Sequence, residues 1–322
     1  MKKEDIASHV DYVLRETNIP GLGQRKVGKV RDNYIQEDKV ILVSTDRHSS
    51  FDRIIAHVPF KGRILNQVAA FWFENTKDII QNHIIEIPDP NVSIAKKCRP
   101  LPIEVVVRRY VTGVTGTSLW TLYQKGQRNF GSFVLPEGVK KNFRMEKAVI
   151  TPTTKSDVHD QSLTPAEVVS MGFVETGLWD EVQRVSLAIF ERGEQIASKN
   201  GLILVDTKYE FGFDENNKLT LIDEVHTPDS SRYWLAGSYQ ERFDQGLEPE
   251  YFDKEFLCLW FKDNCDPYND PVLPEAPADL IAELSSRYIQ IFEKITGEKF
   301  QADFDVDLNQ RVVTNLQKYV QK

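Results

Sequence analysis

Residues 202–232, LILVDTKYEFGFDENNKLTLIDEVHTPDSSR, decide how the chain is read. Two apolar runs flank a polar turn, DENN at 214–217, the pattern of a β-hairpin. Strand side chains alternate between faces with period two. Leu202, Leu204, Asp206, Lys208 and Glu210 therefore point to one side, and Val205, Tyr209 and Phe211 to the other. Acid, base and acid in a row over an apolar back are either a solvated ion-pair surface or a site. With the turn at 214–217, Asp223 lies opposite Lys208, and Asp206 and Glu210 are its diagonal neighbours, about 7–8 Å away. From there Glu210 and Asp223 could converge on Mg2+, which takes one or two carboxylates and leaves its other positions to water and phosphate. Lys208 would sit among phosphate oxygens as a point charge. Glu224, Asp229 and Arg232, just past the strand end, tip the balance toward a site.

Composition sets the bounds. The 322 residues suffice for two domains, and 27% charged with 41% hydrophobic residues is ordinary for a soluble globular protein. A formal net charge of −8 argues against a protein that coats nucleic acid. The three cysteines, Cys98, Cys258 and Cys265, are widely spaced and suit a reducing compartment. The charged start MKKEDIASHVDYVLRETNIPG carries no apolar signal region, and no window reaches bilayer-spanning length. The expectation is a cytoplasmic protein without membrane or nucleic-acid partners.

Periodicity places a helix over 4–16, strands over the QRKVGKVRDNYI and KVILVSTD runs, and a helix over 62–77. HIIEIP and LPIEVVVRRYVTG read as further strands. Thr164 and Glu167 form a capping box ahead of a short helix, and longer helices follow over 178–199, 277–296 and 305–320. Short turns between early strands imply antiparallel pairing and an α+β fold. The domains expected are 1–105, mostly antiparallel β, and 106–322, larger and α+β, including a helical extension from about 235.

Three other stretches gather chemistry. KVGKVRDNY places Gly28, Lys29 and Arg31 in a strand-like pattern without Walker spacing; it fits a glycine β-turn over phosphates, or simply a turn beside two exposed cations. VVVRRYVTGVTGTSLW leaves an apolar strand into Arg108, Arg109, glycines and Ser118, a combination suited to phosphate. The loops TPTTKSDVHDQSLT and STDRHSSFDR collect Lys155, Asp157, His159 and Asp160, and Asp46, Arg47, Ser49, Ser50 and Asp52. His159 could be a base, a ligand or structural.

Taken in order, GKVRDNY, STDRHSSFDR, LPIEVVVRRYVTG with GTSLW, KSDVHD, LVDTKYEFG and IDEVHTPDSSRYW resemble the SAICAR synthetase family of purine biosynthesis. One departure is that VTGT stands between Gly113 and Ser118, where relatives run on without interruption; which hydroxyl within 112–118 corresponds stays open. The resemblance implies a fold related to protein kinases and ATP-grasp enzymes, with ATP in a cleft between two domains. It implies ligation of L-aspartate to carboxyaminoimidazole ribotide (CAIR), with ATP and Mg2+. By the same resemblance Lys208 and Asp206 serve the reacting centre, and Glu210 and Asp223 hold Mg2+. Gly28, Lys29, Arg31, Lys155 and Glu104 meet ATP. Arg108, Ser118 and Arg232 clasp the ribotide phosphate, with Asp157 and Asp160 at the substrate and Asp46, Ser49 and Ser50 assigned to aspartate. A monomer is expected. The rival readings are a small-molecule kinase using the same parts and a non-catalytic nucleotide-binding domain.

Overall fold

The computed structural model describes residues 2–51, 53–155, 161–252 and 255–321. The chain divides into two compact units, one made of 1–71, 84–97 and 252–322, the other of 72–83 and 98–251.

In the first unit the expected first strand breaks at Gly28 into β1 (Gln24–Val27) and β2 (Arg31–Ile35), an antiparallel hairpin pairing Val27 with Asp32. β3 (Lys39–Ser44) follows, then a separate ribbon of β4 (Arg47–Ser50) and β5 (Arg53–His57). β6 (Ile84–Asp89) and β7 (Val92–Lys96) complete a sheet in the order β1-β2-β3-β7-β6. Residues 252–322, grouped by sequence with the second domain, fall in this unit. Val312 and Leu316 of the helix Leu308–Leu316 join Leu14, Tyr34, Ile41, Val43 and Ile94 in one core. Arg311 adds bonds of 2.9 and 3.1 Å to the buried Asp89 carboxylate.

The N-terminal helix is shorter than its pattern suggests, Lys3–Ala7. Leu14 is fully buried, and its N–H and carbonyl are both bonded by Asp46, so tertiary pairing overrides the helical pattern from residue 8 on.

The second unit contains β8 (Arg99–Pro100), β9 (Ile103–Val111), β10 (Phe143–Ile150), β11 (Thr153–Thr154), β12 (Leu202–Phe213), β13 (Leu219–Ile222) and β14 (Ser231–Leu235). Its main path is β10-β9-β12-β13, and every named ladder in both units is antiparallel. The helix Thr176–Lys199 buries Trp179, Val182, Val185, Ile189 and Phe190 and lies along β12. The capping box at Thr164 forms as read, both bonds present. Among the described residues no helix is long and apolar enough to cross a membrane.

Candidate active site

β12 is a central strand, and that position assembles the site. On one edge β9 sets Arg108 opposite Asp206 and Val106 opposite Lys208. On the other, β14 sets Arg232 opposite Asp206, and β13 sets Ile222 opposite Glu210. Arg108, Asp206 and Arg232 thus form a row across three strands. Arg232 donates to Asp206 through Nε at 2.9 Å and again through Nη2, and Arg108 Nη1 is 3.5 Å from the same carboxylate. Burial opposes ionisation of Asp206, but the two guanidiniums outweigh it and hold the carboxyl below its usual range. Burial and the neighbouring Arg232 push Arg108 down to about 10, so it stays charged at neutral pH. Arg108 is aimed by bonds from Nε to Thr151 Oγ1 at 2.8 Å and from Nη2 to the Thr117 carbonyl at 3.4 Å. Asp206, read from sequence as part of the reacting centre, is therefore the brace between two arginines.

Gly113 closes this corner. Its φ is +100°, and a Cβ there would lie 2.5 Å from Ser118 Cβ and 3.0 Å from Arg232 Nη1. Only glycine lets the chain turn tightly enough to bring Ser118 beside the arginine. Ser118 is the hydroxyl set there, its Oγ donating to the Thr115 carbonyl at 2.8 Å.

Further along the same face, Lys208 Nζ donates to Glu104 at 2.6 Å and to Glu210 at 3.4 Å, while the other Glu210 oxygen accepts from Lys155. Burial would lower the Lys208 pKa, but Glu210, Glu104 and Asp223 raise it well above its ordinary value. Those carboxylates favour the protonated, positively charged form of Lys208.

The hairpin register differs from expectation by one residue. Phe213 pairs with Leu219, so the loop runs over 214–218, with the Asp214 carboxylate accepting the amides of Asn216 and Lys218. A one-residue slip would send Asp223 to the back of the sheet. Instead β13 ends at Ile222 and Asp223 turns into the left-handed region at φ +65°, from which its charge acts on Lys208. A second correction concerns the strand itself. A register shift between Leu204 and Asp206 breaks the period-two count. Leu204 and His226 both lie against Gly193, where a Cβ would meet His226 Cε1 at 2.4 Å, and His226 Nε2 bonds the Tyr209 hydroxyl at 2.5 Å. Leu204 therefore shares the helix-facing side with Tyr209, not the charged side with Asp206. Burial pushes His226 down to about 3, so it is a neutral strut behind the charged face. The sequence reading gave it no role.

The motifs of the first unit are arranged differently. Lys29 is exposed in a turn closed by Gly28 N–H to the Arg31 carbonyl at 2.8 Å, and Arg31 is half-buried. Asp46, assigned by sequence to substrate, is 1% exposed, and its two oxygens accept the amides of Leu14 at 2.7 Å and Gly62 at 2.8 Å; its place is structural. Ser49 is half-buried on β4, and Ser50 Oγ lies 3.2 Å from Cys258 Sγ. Asp157, His159 and Asp160 lie outside the described residues, as does Asp52.

Among the described residues no three His, Cys, Asp or Glu side chains form a metal cage. Glu210 and Asp223, the pair read from sequence as ligands, nonetheless both act on the Lys208 ammonium, so hard oxygen donors are already gathered on a cation. That set fits Mg2+, which needs only one or two carboxylates.

The SAICAR synthetase family model matches residues 24–274. Phosphoribosylaminoimidazole-succinocarboxamide synthase of Legionella pneumophila (strain Paris) is 53% identical over 310 residues, covering 96% of this chain and 99% of that one. The chloroplastic enzyme of Arabidopsis thaliana is 55% identical over 298 residues, covering 91% and 72%. The solved SAICAR synthase from Saccharomyces cerevisiae, complexed with SAICAR, superposes with a TM-score of 0.77 at 29% identity, over 90% of this chain and all of that one. A SAICAR synthetase in complex with ADP gives 0.64 at 25% identity, over 87% and 100%.

Proposed function

The chain belongs to the SAICAR synthetase family, and we propose that it joins L-aspartate to CAIR, converting ATP to ADP and phosphate. The observation that carries this reading is the order of charges along β12. Guanidiniums gather at residue 206, an ammonium stands at 208, and carboxylates gather at 210. Successive groups stand two strand residues, about 7 Å, apart, so phosphate, carboxylate and metal ion would lie in a row.

In this reading the ribotide phosphate lies against Arg108, Arg232 and Ser118, with Asp206 fixing the Arg232 guanidinium and Thr151 and the Thr117 carbonyl aiming Arg108. Lys208 faces the CAIR carboxylate, whose oxygen takes the γ-phosphoryl group of ATP as ADP leaves. The amine of aspartate then attacks the acyl carbon, the C–N bond forms and phosphate departs. Both steps crowd anions together, and the positive charge of Lys208 neutralises part of them. Mg2+, held by Glu210 and Asp223 when bound, would supply further neutralisation at the phosphate oxygens. Lys155 and Glu104 border the nucleotide, and Gly28, Lys29 and Arg31 cover its phosphates.

A cytoplasmic monomer completes the proposal. It is supported by the wide spacing of the three cysteines along the chain and by the helix Leu308–Leu316 that finishes the core of the first unit.

The test is ADP release from Mg·ATP and CAIR, with and without L-aspartate. Aspartate-dependent release together with succinocarboxamide establishes the ligase. Release without aspartate and without amide product moves the protein to the kinases.

A further inference from the structure

The turn at 28–31 is fastened from behind by residues that no role above uses. Its Val30 carbonyl accepts two bonds from Thr45, from N–H at 2.9 Å and from Oγ1 at 2.6 Å. Its Gly28 carbonyl accepts Arg47 Nη2 at 3.0 Å. The same guanidinium bonds Asp32 Oδ1 at 2.8 Å and the Arg15 carbonyl at 2.9 Å. Asp32 in turn accepts Thr17 N–H at 2.6 Å, Thr17 Oγ1 at 3.1 Å and Arg25 at 3.4 Å. Thr45 and Asp32 are fully buried and Arg47 nearly so.

A glycine turn at the end of a hairpin is ordinarily free to flex where its carbonyls face water, even when one strand is paired into a larger sheet as β2 is here. Here two carbonyls of the turn are bonded inward, one on each side of Lys29. Tying them fixes the peptide planes, and with them the direction of the amides that follow each carbonyl.

We propose that Thr45 and Arg47 are positioning residues that lock the 28–31 turn before any ligand arrives, presenting its amides and Lys29 in one arrangement to the phosphates of a nucleoside triphosphate. The proposal rests on the nucleotide role given to the turn above. It gives Thr45 and Arg47 of STDRHSSFDR, which had no assigned role, the holding of this turn. Preorganisation of this kind lowers the ordering cost of binding, so loosening the turn weakens nucleotide affinity and leaves ribotide affinity alone.

Thr45→Val is the test variant, because it keeps shape and the backbone N–H bond and removes only the Oγ1 donor; Arg47→Lys, which keeps the charge beside Asp32, is the second. Three quantities are measured on the full chain: amide hydrogen exchange without ligand, equilibrium affinity for Mg·ATP, and equilibrium affinity for CAIR. Thr45→Val is expected to speed exchange at 28–31 about tenfold with the core strands unchanged. The Kd for ATP is expected to rise about three- to tenfold, with that for CAIR constant. Arg47→Lys is expected to act in the same direction at the same amides. Unchanged exchange at 28–31, uniformly faster exchange, or faster exchange with unaltered ATP affinity each overturn the proposal. A wild-type protein that binds ATP but forms no succinocarboxamide overturns the ligase reading alone, because neither exchange nor binding depends on turnover. Failure of the wild type to bind ATP overturns both.

Discussion

STDRHSSFDR in one unit and LVDTKYEFG in the other are comparably dense in charge, yet their charges are tied to different things. Asp46 and Arg47 are bonded to main-chain amides and carbonyls, apart from the Arg47–Asp32 pair, and both are buried. Asp206, Lys208 and Glu210 are bonded to other charged side chains, whose cations, apart from the buried Arg108, keep access to water. Lys208, Arg232 and Lys155 side chains are 34%, 40% and 42% exposed. A charge tied to the backbone cannot change partner without moving the chain, so it is frame. A charge tied to a mobile, partly wet counter-charge can exchange that partner for a ligand, so it is available for chemistry. The comparison makes the first motif a matter of stability and the second a matter of turnover.

The widest separation should come from Arg47→Met. It leaves the Asp32 carboxylate buried without its closest cation and frees two carbonyls, and removing one partner of such a pair costs about 3–5 kcal/mol. Chemical denaturation should show that loss, while the folded fraction binds CAIR with wild-type affinity. Wild-type stability in this variant would break the comparison from one side. Lys208→Met attacks it from the other. Removing one preorganised charge from a reacting centre costs about 10²–10³ in kcat. The stability change should be smaller than for Arg47→Met, because Lys155 still meets Glu210 and the Lys208 side chain is 34% exposed where that of Arg47 is 3%. Turnover near wild type would remove Lys208 from the centre.

Asp46 sharpens the same contrast through pH. Burial raises its pKa from about 3.8 to about 6, against the pull of its two backbone amides. A carboxyl whose folded pKa is raised binds its proton more tightly when folded, so its contribution is fully present below the unfolded pKa and is lost as pH rises through the folded one. At about 1.4 kcal/mol per pKa unit, wild type should lose about 2–3 kcal/mol between pH 4 and 7 relative to Asp46→Asn. Parallel stability profiles for the two proteins would show that Asp46 does not titrate in that window.

Much of this was readable in the sequence, for a physical reason. β9, the helix Thr176–Lys199 and the capping box at Thr164 are specified by local periodicity and by a side chain bonding its own turn. Arg108 and Ser118 read as suited to phosphate because a strand end and glycines accompany them, whereas Arg232 joined them only through the family resemblance. The hairpin register was not readable: a loop over 214–217 and one over 214–218 place equally polar residues in the turn, and the choice falls to the Asp214 carboxylate capping two amides. The shift after Leu204 depends on how β12 pairs with β14, which no period within β12 reveals. The roles of Asp46 and Arg47 depend on carbonyls and amides at positions 14, 15, 28 and 62, and main-chain atoms carry no sequence signal.

The finest discrimination comes from Arg232→Lys. The guanidinium holds Asp206 with two nitrogens and presents Nη1 beside Gly113 and Ser118, so it braces the row and faces the proposed phosphate site together. Lysine keeps the charge, and Asp206 still has Arg108, so stability should change by less than about 1 kcal/mol. The planar fork is lost, and a single ammonium cannot serve Asp206 and a phosphate in fixed directions at once. KM for CAIR should therefore rise about tenfold, equivalent to about 1.4 kcal/mol, with KM for ATP unchanged. A rise for ATP alone would place the arginine row at the nucleotide and reverse the order of charges along β12. A large loss of stability with no kinetic effect would make Arg232 frame like Arg47, and the distinction between backbone-tied and side-chain-tied charge would no longer separate structure from function.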